Sequence, residues 1–411
     1  MPKIKSINCH KIINSRGDWT IMTSVELSDG SIGEQSIPDG ASKGENEAIY
    51  INPEKSVEIV TTVINDALKN ENPFEQAVLD KMLIEMDGTP NKRHLGGNSI
   101  LSVSLAVAKA SAISLGIELY QYLYNLYNQK DLSYKHSHFT FPTPVFNIIN
   151  GGKHAHNNLS FQEFMIIPAT SLKIDKSIEI GINVYHSLQK ILLDKGYEVG
   201  VGDEGGFAPD GFTVNKAFEF IRAAVSQHYK PGVDVFFGMD VAAESFYKNK
   251  KYTISEEHLE LSHEQLGEYY QKLIKEYELI YLEDPFHEKD LQAWKEFYAK
   301  NNKKLMIVGD DLVVTNPKFL NKVISSGMIN AAIVKPNQVG TLTETLEFVK
   351  TAKNAGFNIC VSHRSGDTAE DTFISDLAVA VGAEFMKSGA PVRGERVAKY
   401  NRLLEIYDKL K

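Results

Sequence analysis

The chain has 411 residues, enough for two or three domains and a large core, and is 43% hydrophobic and 24% charged, the balance of a globular protein. Its net charge is −9, from 44 basic against 53 acidic residues, with no basic run, which excludes a nucleic-acid surface built on phosphate neutralisation. The two cysteines, Cys9 and Cys360, lie far apart in apolar segments and read as buried, reduced thiols of a cytoplasmic protein.

The opening MPKIKSINCHKII has neither a long apolar core nor a small-residue cleavage site, so no signal peptide is expected. Alternation in IMTSVELSDGSIGEQSIP, punctuated at Asp29-Gly30 and Asp39-Gly40, predicts strands joined by turns. Helical periodicity follows in EIVTTVINDALKN, FEQAVLDKMLIEM and ILSVSLAVAKASAISLGIELYQYLYNLY, with Asn98 placed to cap the third. The most apolar stretch, Ser99 to Ile117, contains Lys109 and several serines, and reads as a core helix rather than a membrane span. Strands followed by helices predict an α+β capping or lid domain over residues 1–128, and the polar, aromatic stretch from Asn128 to Thr140 reads as a linker.

The second predicted domain covers residues 141–411. There, apolar runs alternate with amphipathic helices such as SIEIGINVYHSLQKILLDKG and EQLGEYYQKLIKEYE. Eight of these runs finish on a chemically capable residue: Glu163, Glu204, Asp240, Glu283, Asp310, Lys335, His363 and Lys387. Their spacing of 24 to 43 residues suits a strand, a helix and two loops. The predicted fold class is therefore α/β, with a C-terminal (β/α)8-type barrel of eight parallel strands whose chemistry sits at the strand carboxyl ends.

Asp240, Glu283 and Asp310 would close three consecutive strands. Loop capping or lysine pairing would account for any one of them, but three converging carboxylates call for a cation. All-oxygen ligands without a nearby cysteine favour a hard ion, and an open site favours Mg²⁺. Lys335 and Lys387 flank His363 in the series, and a lysine beside a divalent cation and a second ammonium should have a depressed pKa and serve as a base. Glu204, in VGDEGGFAP, lies across the ring as a candidate acid, where paired glycines let backbones approach. Arg364 and Ser365 follow a strand directly and suit a phosphate. Gly40-Ala41-Ser42-Lys43-Gly44 reads as a loop that closes over a ligand. These residues alone predict a Mg²⁺-dependent lyase or isomerase acting on a small phosphorylated acid.

At these residues the chain resembles the enolase family over nearly its full length, in NIINGGKHAHNN with FQEFMIIP, VGDEGGFAP, YLEDPF, VGDDLVVTNP, KPNQVGTLTET, VSHRSGDT and KSGAP. In the first domain, SRG near Arg16, GAS at Ser42, and DGTPNK before LGGNSILSVSLAVAKA also match. A Lys or His base with one or two Mg²⁺ ions is a known pattern of such sites. The resemblance implies a hydro-lyase that interconverts 2-phosphoglycerate with phosphoenolpyruvate and water, using two Mg²⁺ ions. It implies Lys335 as the base, and Glu204, oriented by Glu163, as the acid for the departing hydroxyl. Asp240, Glu283 and Asp310 would hold one ion, and Ser42 would join the substrate phosphate on the second. Lys387 would hold the carboxylate, Arg364 and Ser365 the phosphate, and His154 and His363 would complete the polar wall. A homodimer, in cases assembled into an octamer, is a further implication, with no nucleic-acid or membrane partner.

Departures gather in the lid. The usual SRGNPT and PSGAST become Ser15-Arg16-Gly17-Asp18-Trp19-Thr20 and Pro38-Asp39-Gly40-Ala41-Ser42-Lys43, and an arginine-aspartate-glycine becomes Tyr50-Ile51-Asn52. In the barrel, a serine-glutamate order is reversed as Glu244-Ser245. Two alternatives follow: a paralogue that eliminates water from a related phosphorylated or phosphonate acid, and a non-catalytic binding or structural protein.

Overall fold

The computed structural model describes every residue except 41–43 and 45. The first three strands, β1 (Ile4–Ile13), β2 (Trp19–Leu27) and β3 (Ile32–Ser36), form an antiparallel meander in the order β1-β2-β3. Gly30, at φ +89°, supplies the left-handed residue of the predicted Asp29-Gly30 turn. No such turn forms at Asp39-Gly40. Asp39 instead exchanges two backbone hydrogen bonds of 2.8 Å with Gly366, which pins the lid loop to the barrel rim.

One face of the meander packs on the helix Gly97–Ser114, which is buried along almost its whole length. A buried helix must satisfy every polar group it carries. Its serines meet this demand: Ser99 pairs with Ser56 at 2.6 Å, Ser102 accepts from Thr23 at 2.7 Å, and Ser104 accepts from the Leu342 amide at 3.0 Å. Asn98 lies inside the helix rather than capping it, because Gly96 holds the cap position. Its side-chain amide clamps the Ile51 backbone instead, accepting at 3.1 Å and donating at 3.0 Å. The long helical segment foreseen in the sequence breaks at Gly116 (φ +64°), and a second helix runs Leu119–Tyr127 at 109° to the first. Among the described residues no single helix is long and apolar enough to cross a membrane.

The rest of the chain builds a closed eight-stranded barrel. Its strands are β4 (Thr143–Asn150), β5 (Glu163–Pro168) and β6 (Val235–Asp240), followed, after a small sheet, by five more. That small sheet comprises β7 (Tyr247–Lys248), β8 (Lys251–Ile254) and β9 (Leu259–Leu261). The remaining barrel strands are β10 (Leu279–Glu283), β11 (Met306–Gly309), β12 (Ala331–Val334), β13 (Asn358–Ser362) and β14 (Phe385–Lys387).

The strand count is as predicted, but two assignments are corrected. VGVGDE is not a strand: it is a loop whose Phe207 bonds to the β4 backbone, with its amide reaching Ile148 O at 3.0 Å and its carbonyl accepting from Asn150 N at 2.9 Å. The missing strand is β4, which forms a hairpin with β5. As a result β5 runs antiparallel to both its neighbours, and the barrel is not all parallel. Reversal puts Glu163 at the start of its strand rather than the end. The rim position is unchanged, since Glu163 pairs in register with Asp240 of β6 and Asn150 of β4.

Below the rim, Val145, Met165, Ile167, Tyr281, Val308, Ile333, Cys360 and Phe385 belong to a separate apolar layer inside the barrel. Cys9 and Cys360 are both free and buried. Lys92 pairs with Glu344 at 2.9 Å, and Asp80 accepts from the Thr343 amide and hydroxyl at 2.9 and 2.6 Å, so the N-terminal helices rest on the barrel.

The β3–helix contact leaves no room for a side chain at Gly33, where a Cβ would stand 2.2 Å from Ala110 N and 2.3 Å from Ala106 O. Gly33→Val should therefore lower stability by about 1–3 kcal/mol through overpacking. Thermal unfolding monitored by circular dichroism checks this, and an unchanged midpoint would contradict the contact.

Candidate active site

Strand ends converge at the rim opposite the apolar layer. Asp240 and Glu283 finish β6 and β10, Asp310 follows β11, and all three are buried. Tyr281 donates to Glu283 Oε2 at 2.7 Å from inside the barrel, and Gln338 donates to Asp310 Oδ1 at 2.8 Å. The Lys387 ammonium sits among the acids, 3.0 Å from Asp240 Oδ2, 3.0 Å from both Glu283 oxygens and 3.2 Å from Glu163 Oε2. Burial opposes its charge, but the Asp240, Glu163 and Glu283 carboxylates outweigh burial and hold its pKa well above the usual lysine value.

Lys335 bonds to Asp310 Oδ2. The depressed pKa expected for it is that of a lysine beside a divalent cation, and its protein neighbours alone act the other way. Burial pushes the ammonium towards neutrality, yet the Asp310 carboxylate prevails and the pKa is raised. A single close opposite charge is enough to reverse the effect of burial.

Even with two ammonium groups present, negative charge is left over. Burial, then the Asp240 carboxylate, pushes Glu283 up to about 8. Asp311 is also pushed up to about 8, by burial and then Asp310, and Asp284 is raised well above the carboxylate range by burial and its acidic neighbours. Asp284 also accepts from the Asp310 and Asp311 amides, both at 2.9 Å. Asp284, Asp310 and Asp311 offer oxygen atoms within 4.8 Å of one another. An all-carboxylate donor set with excess negative charge fits a hard divalent cation.

The opposite side of the site holds a second carboxylate pair. Glu204 rides on the loop after Gly202, where a Cβ would clash with His154 O at 2.4 Å, and before Gly205, which takes φ +85°. Those glycines let the loop fold against β4. His154 Nδ1 lies 3.5 Å from both Glu163 Oε1 and Glu204 Oε1, and His363 Nε2 lies 3.2 Å from Glu204 Oε1. Asn147 donates to Glu204 Oε2 at 3.1 Å. Burial, reinforced by the Glu204 charge, raises Glu163 well above the carboxylate range. Burial acts on Glu204 in the same sense, but the two histidines and Arg396 bring it well below. The two carboxyls are therefore pushed in opposite directions.

Arg364 binds Glu47 in a two-pronged contact at 2.8 and 3.3 Å and reaches Asn337 Oδ1 at 3.2 Å. Its neighbour Ser365 accepts at its carbonyl from Ser15 Oγ at 3.1 Å. Tyr50, one of the departures, donates to Pro38 O at 3.0 Å beside Arg364 and Asn337. Trp19 is 58% exposed at the end of the β1–β2 pairing, under Lys11 at 4.9 Å, and Asp18 is exposed beside it. Ser42 and Lys43 lie outside the described residues. Glu244 faces His287 Nε2 at 3.0 Å on the outer side of the rim.

The structure thus gathers His154, Glu163, Glu204, Asp240, Lys335, His363, Arg364, Ser365 and Lys387 around one small cavity of about 20 Å³, closed over by Gly40. Larger clefts of about 690 Å³ lie on the outer surface, for example beside Lys109 and Arg402, but the convergent charges are at the small one. Sequence reasoning passed over Asp284 and Asp311, although the doubled acids of YLEDPF and VGDDLVV carried the signal. It also missed Glu47, Asn147, Tyr281, Gln338 and Arg396, whose roles depend on contacts that spacing does not reveal.

Comparison with known proteins follows the same division. A family model described as "Enolase, N-terminal domain" matches residues 4–123, and one described as "Enolase, C-terminal TIM barrel domain" matches residues 138–411. A protein named "Enolase" from Lactobacillus helveticus (strain DPC 4571) is 43% identical over 419 residues, covering 99% of this chain and 95% of that one. A protein of the same name from Lactobacillus acidophilus (strain ATCC 700396 / NCK56 / N2 / NCFM) is similar to the same extent.

Burial pushes the His363 pKa from 6.5 down to about 3, the Glu204 charge notwithstanding. Between those values the unfolded chain takes up a proton that the folded chain refuses. Stability therefore falls as pH drops through that window. His363→Asn should flatten the decline in thermal midpoint between about pH 6.5 and pH 4. Parallel curves for the variant and the unaltered protein would show that the imidazole is not held neutral.

Proposed function

Because the chain belongs to the enolase family, we propose that this site dehydrates 2-phosphoglycerate, reversibly, to phosphoenolpyruvate. The observation that carries the reading is the separation of two proton-handling groups around a carboxylate cluster. Lys335 sits with Asp310 on one side, and Glu163 and Glu204, both facing His154, on the other. Elimination needs a base for the carbon acid and an acid for the leaving hydroxyl, on opposite faces of one substrate.

In this reading Asp240, Glu283 and Asp310 hold one Mg²⁺, and Ser42 with the substrate phosphate holds a second. Bound there, Mg²⁺ supplies positive charge that competes with the Lys335 ammonium for Asp310 and offsets the charge building on the substrate carboxylate. Lys335, once neutral, removes the proton alpha to that carboxylate through Nζ. Lys387 orients the carboxylate, and Arg364 and Ser365 grip the phosphate. A proton from the Glu163–Glu204 pair is delivered to the departing hydroxyl, with His154 and His363 lining its path. Closure of the Gly40 loop excludes water from the charged intermediate.

Turnover of 2-phosphoglycerate with Mg²⁺, followed by the ultraviolet absorbance of the enol phosphate, tests the function directly. Lys335→Ala should abolish exchange of the alpha proton with solvent, whereas Glu204→Gln should spare exchange and lower dehydration by about 10²–10⁴-fold. Equal loss of exchange in both variants would overturn the division of base and acid.

Metal ligation has its own readout. Mg²⁺ at about 100 times its dissociation constant should stabilise the protein by about 2.7 kcal/mol. In Glu283→Gln that gain should shrink or vanish at the same Mg²⁺ concentration in a thermal-shift titration. A full shift in this variant would remove Glu283 from the ligand set.

A further inference from the structure

Arg396 stands beside the site with none of its surface exposed. It stands in the first turn of the helix Gly394–Leu410, behind the rim rather than in the cavity. Burying a guanidinium is costly unless its N–H groups are satisfied. Here Nη1 reaches His363 Nδ1 at 2.5 Å and Arg364 O at 2.7 Å, while Nη2 reaches Ser365 O at 2.6 Å and Asp203 O at 3.2 Å.

We propose that Arg396 is a positioning residue that fixes His363 as the Nε2–H tautomer facing Glu204, and so holds the acid half of the site in its working protonation pattern. The inference rests on the dehydratase reading for its functional consequence, but not for its chemistry. A guanidinium has five donors and no acceptor. Whatever lies at 2.5 Å from Nη1 must therefore offer a lone pair, so Nδ1 of His363 carries no proton. The single N–H of a neutral ring then falls on Nε2, which lies 3.2 Å from Glu204 Oε1. An imidazolium, or the other tautomer, would set one N–H against another.

The surroundings agree. The counter-charge for Arg396 is Asp367, whose Oδ2 is 3.5 Å from Nη1 but only 2.7 Å from Lys399 Nζ. That carboxylate already serves two cations, which leaves the pocket behind His363 unfavourable to a third positive charge. Burial disfavours the imidazolium first, and the Arg396 charge adds to it. The same guanidinium joins the loop of Asp203 and Glu204 to the loop of His363, Arg364 and Ser365. Orientation of the ring and position of the carboxylate are therefore set by one group. With its proton on Nε2, the ring turns its donor nitrogen to the side of Glu204, 3.2 Å from Oε1, where it favours the carboxylate.

The test uses the full chain labelled with ¹⁵N at histidine and arginine, without substrate. His363, assigned by its disappearance in His363→Asn, should show an unprotonated Nδ1 and a protonated Nε2 from pH 8 to pH 6. A scalar coupling across the Arg396 Nη1–H···Nδ1 bond should also be visible. Arg396→Lys keeps the charge but not the fork. It should mix the tautomers and slow dehydration of 2-phosphoglycerate on the order of 10²-fold while leaving alpha-proton exchange by Lys335 within about 3-fold. A protonated Nδ1 in the unaltered protein, or an unchanged His363 spectrum in folded Arg396→Lys, overturns the proposal. If the variant does not fold, the tautomer and coupling in the unaltered protein decide. The expected spectrum without turnover of 2-phosphoglycerate would sink the dehydratase reading and leave the positioning role standing.

Discussion

The mutual repulsion of buried carboxylates at one mouth of the barrel governs this molecule. Lys387 touches acids from three strands, Asp240 on β6, Glu283 on β10 and Glu163 on β5, and thereby ties the rim of the barrel together. An apolar layer containing Val145, Met165 and Phe385 lies beneath. It excludes water and so magnifies every charge interaction above it. Two ammonium groups do not neutralise the cluster, as the raised Glu283, Asp284 and Asp311 carboxyls record. The protein thus holds a preorganised excess of negative charge that suits a cation.

Such a site cannot run proton transfers at both ends with a uniform environment. The division follows the irregularity of the barrel. Regular parallel strands present Asp240, Glu283 and Lys387, whereas the β4–β5 hairpin and the loop carrying Glu204 break the pattern on the other side. Those irregular segments bring two carboxylates and His154 up to His363, which follows the regular strand β13, and the pKa values of Glu163 and Glu204 move in opposite directions. Two like groups are thus set apart, because His154 lies 3.5 Å from both carboxylates whereas His363 lies against Glu204, at 3.2 Å.

Much of this was legible in the linear chain, and the misses have physical causes. Apolar runs ending in acids or lysines located the barrel rim, because a strand buried on both faces leaves polar residues nowhere else to go. The reversal of β5 was invisible, since a strand reads alike in either direction and only the short β4–β5 connection hints at a hairpin. Glu204 was placed at the rim for the wrong reason: its prefix VGV is part of a loop, with Val201 exposed, and the loop is held to β4 by Phe207 rather than as a strand. Asn98 misled because its cap-like position before a helical run is indistinguishable from the interior position it occupies once Gly96 takes the cap. For Lys335 pairing with the carboxylates was foreseen, but which carboxylate it meets, Asp310, depends on a contact that spacing does not reveal. Arg396 carried no signal at all, because a buried arginine in an amphipathic helix reads as a solvent-facing one.

The altered lid gains meaning from a single guanidinium. Glu47, from the lid segment, grips Arg364 with both carboxylate oxygens, and the Asp39–Gly366 backbone pair holds the same lid to the rim a few residues away. In the proposed function Arg364 also binds the substrate phosphate, with Ser365 beside it. A phosphate and the Glu47 carboxylate are both anions that match the fork of a guanidinium, so each must share or yield the N–H groups the other uses. In that reading lid docking and phosphate binding are linked through one side chain. Two of the substitutions lie at this contact: Asp39 through its backbone pair with Gly366, and Tyr50 through its hydroxyl on Pro38 O.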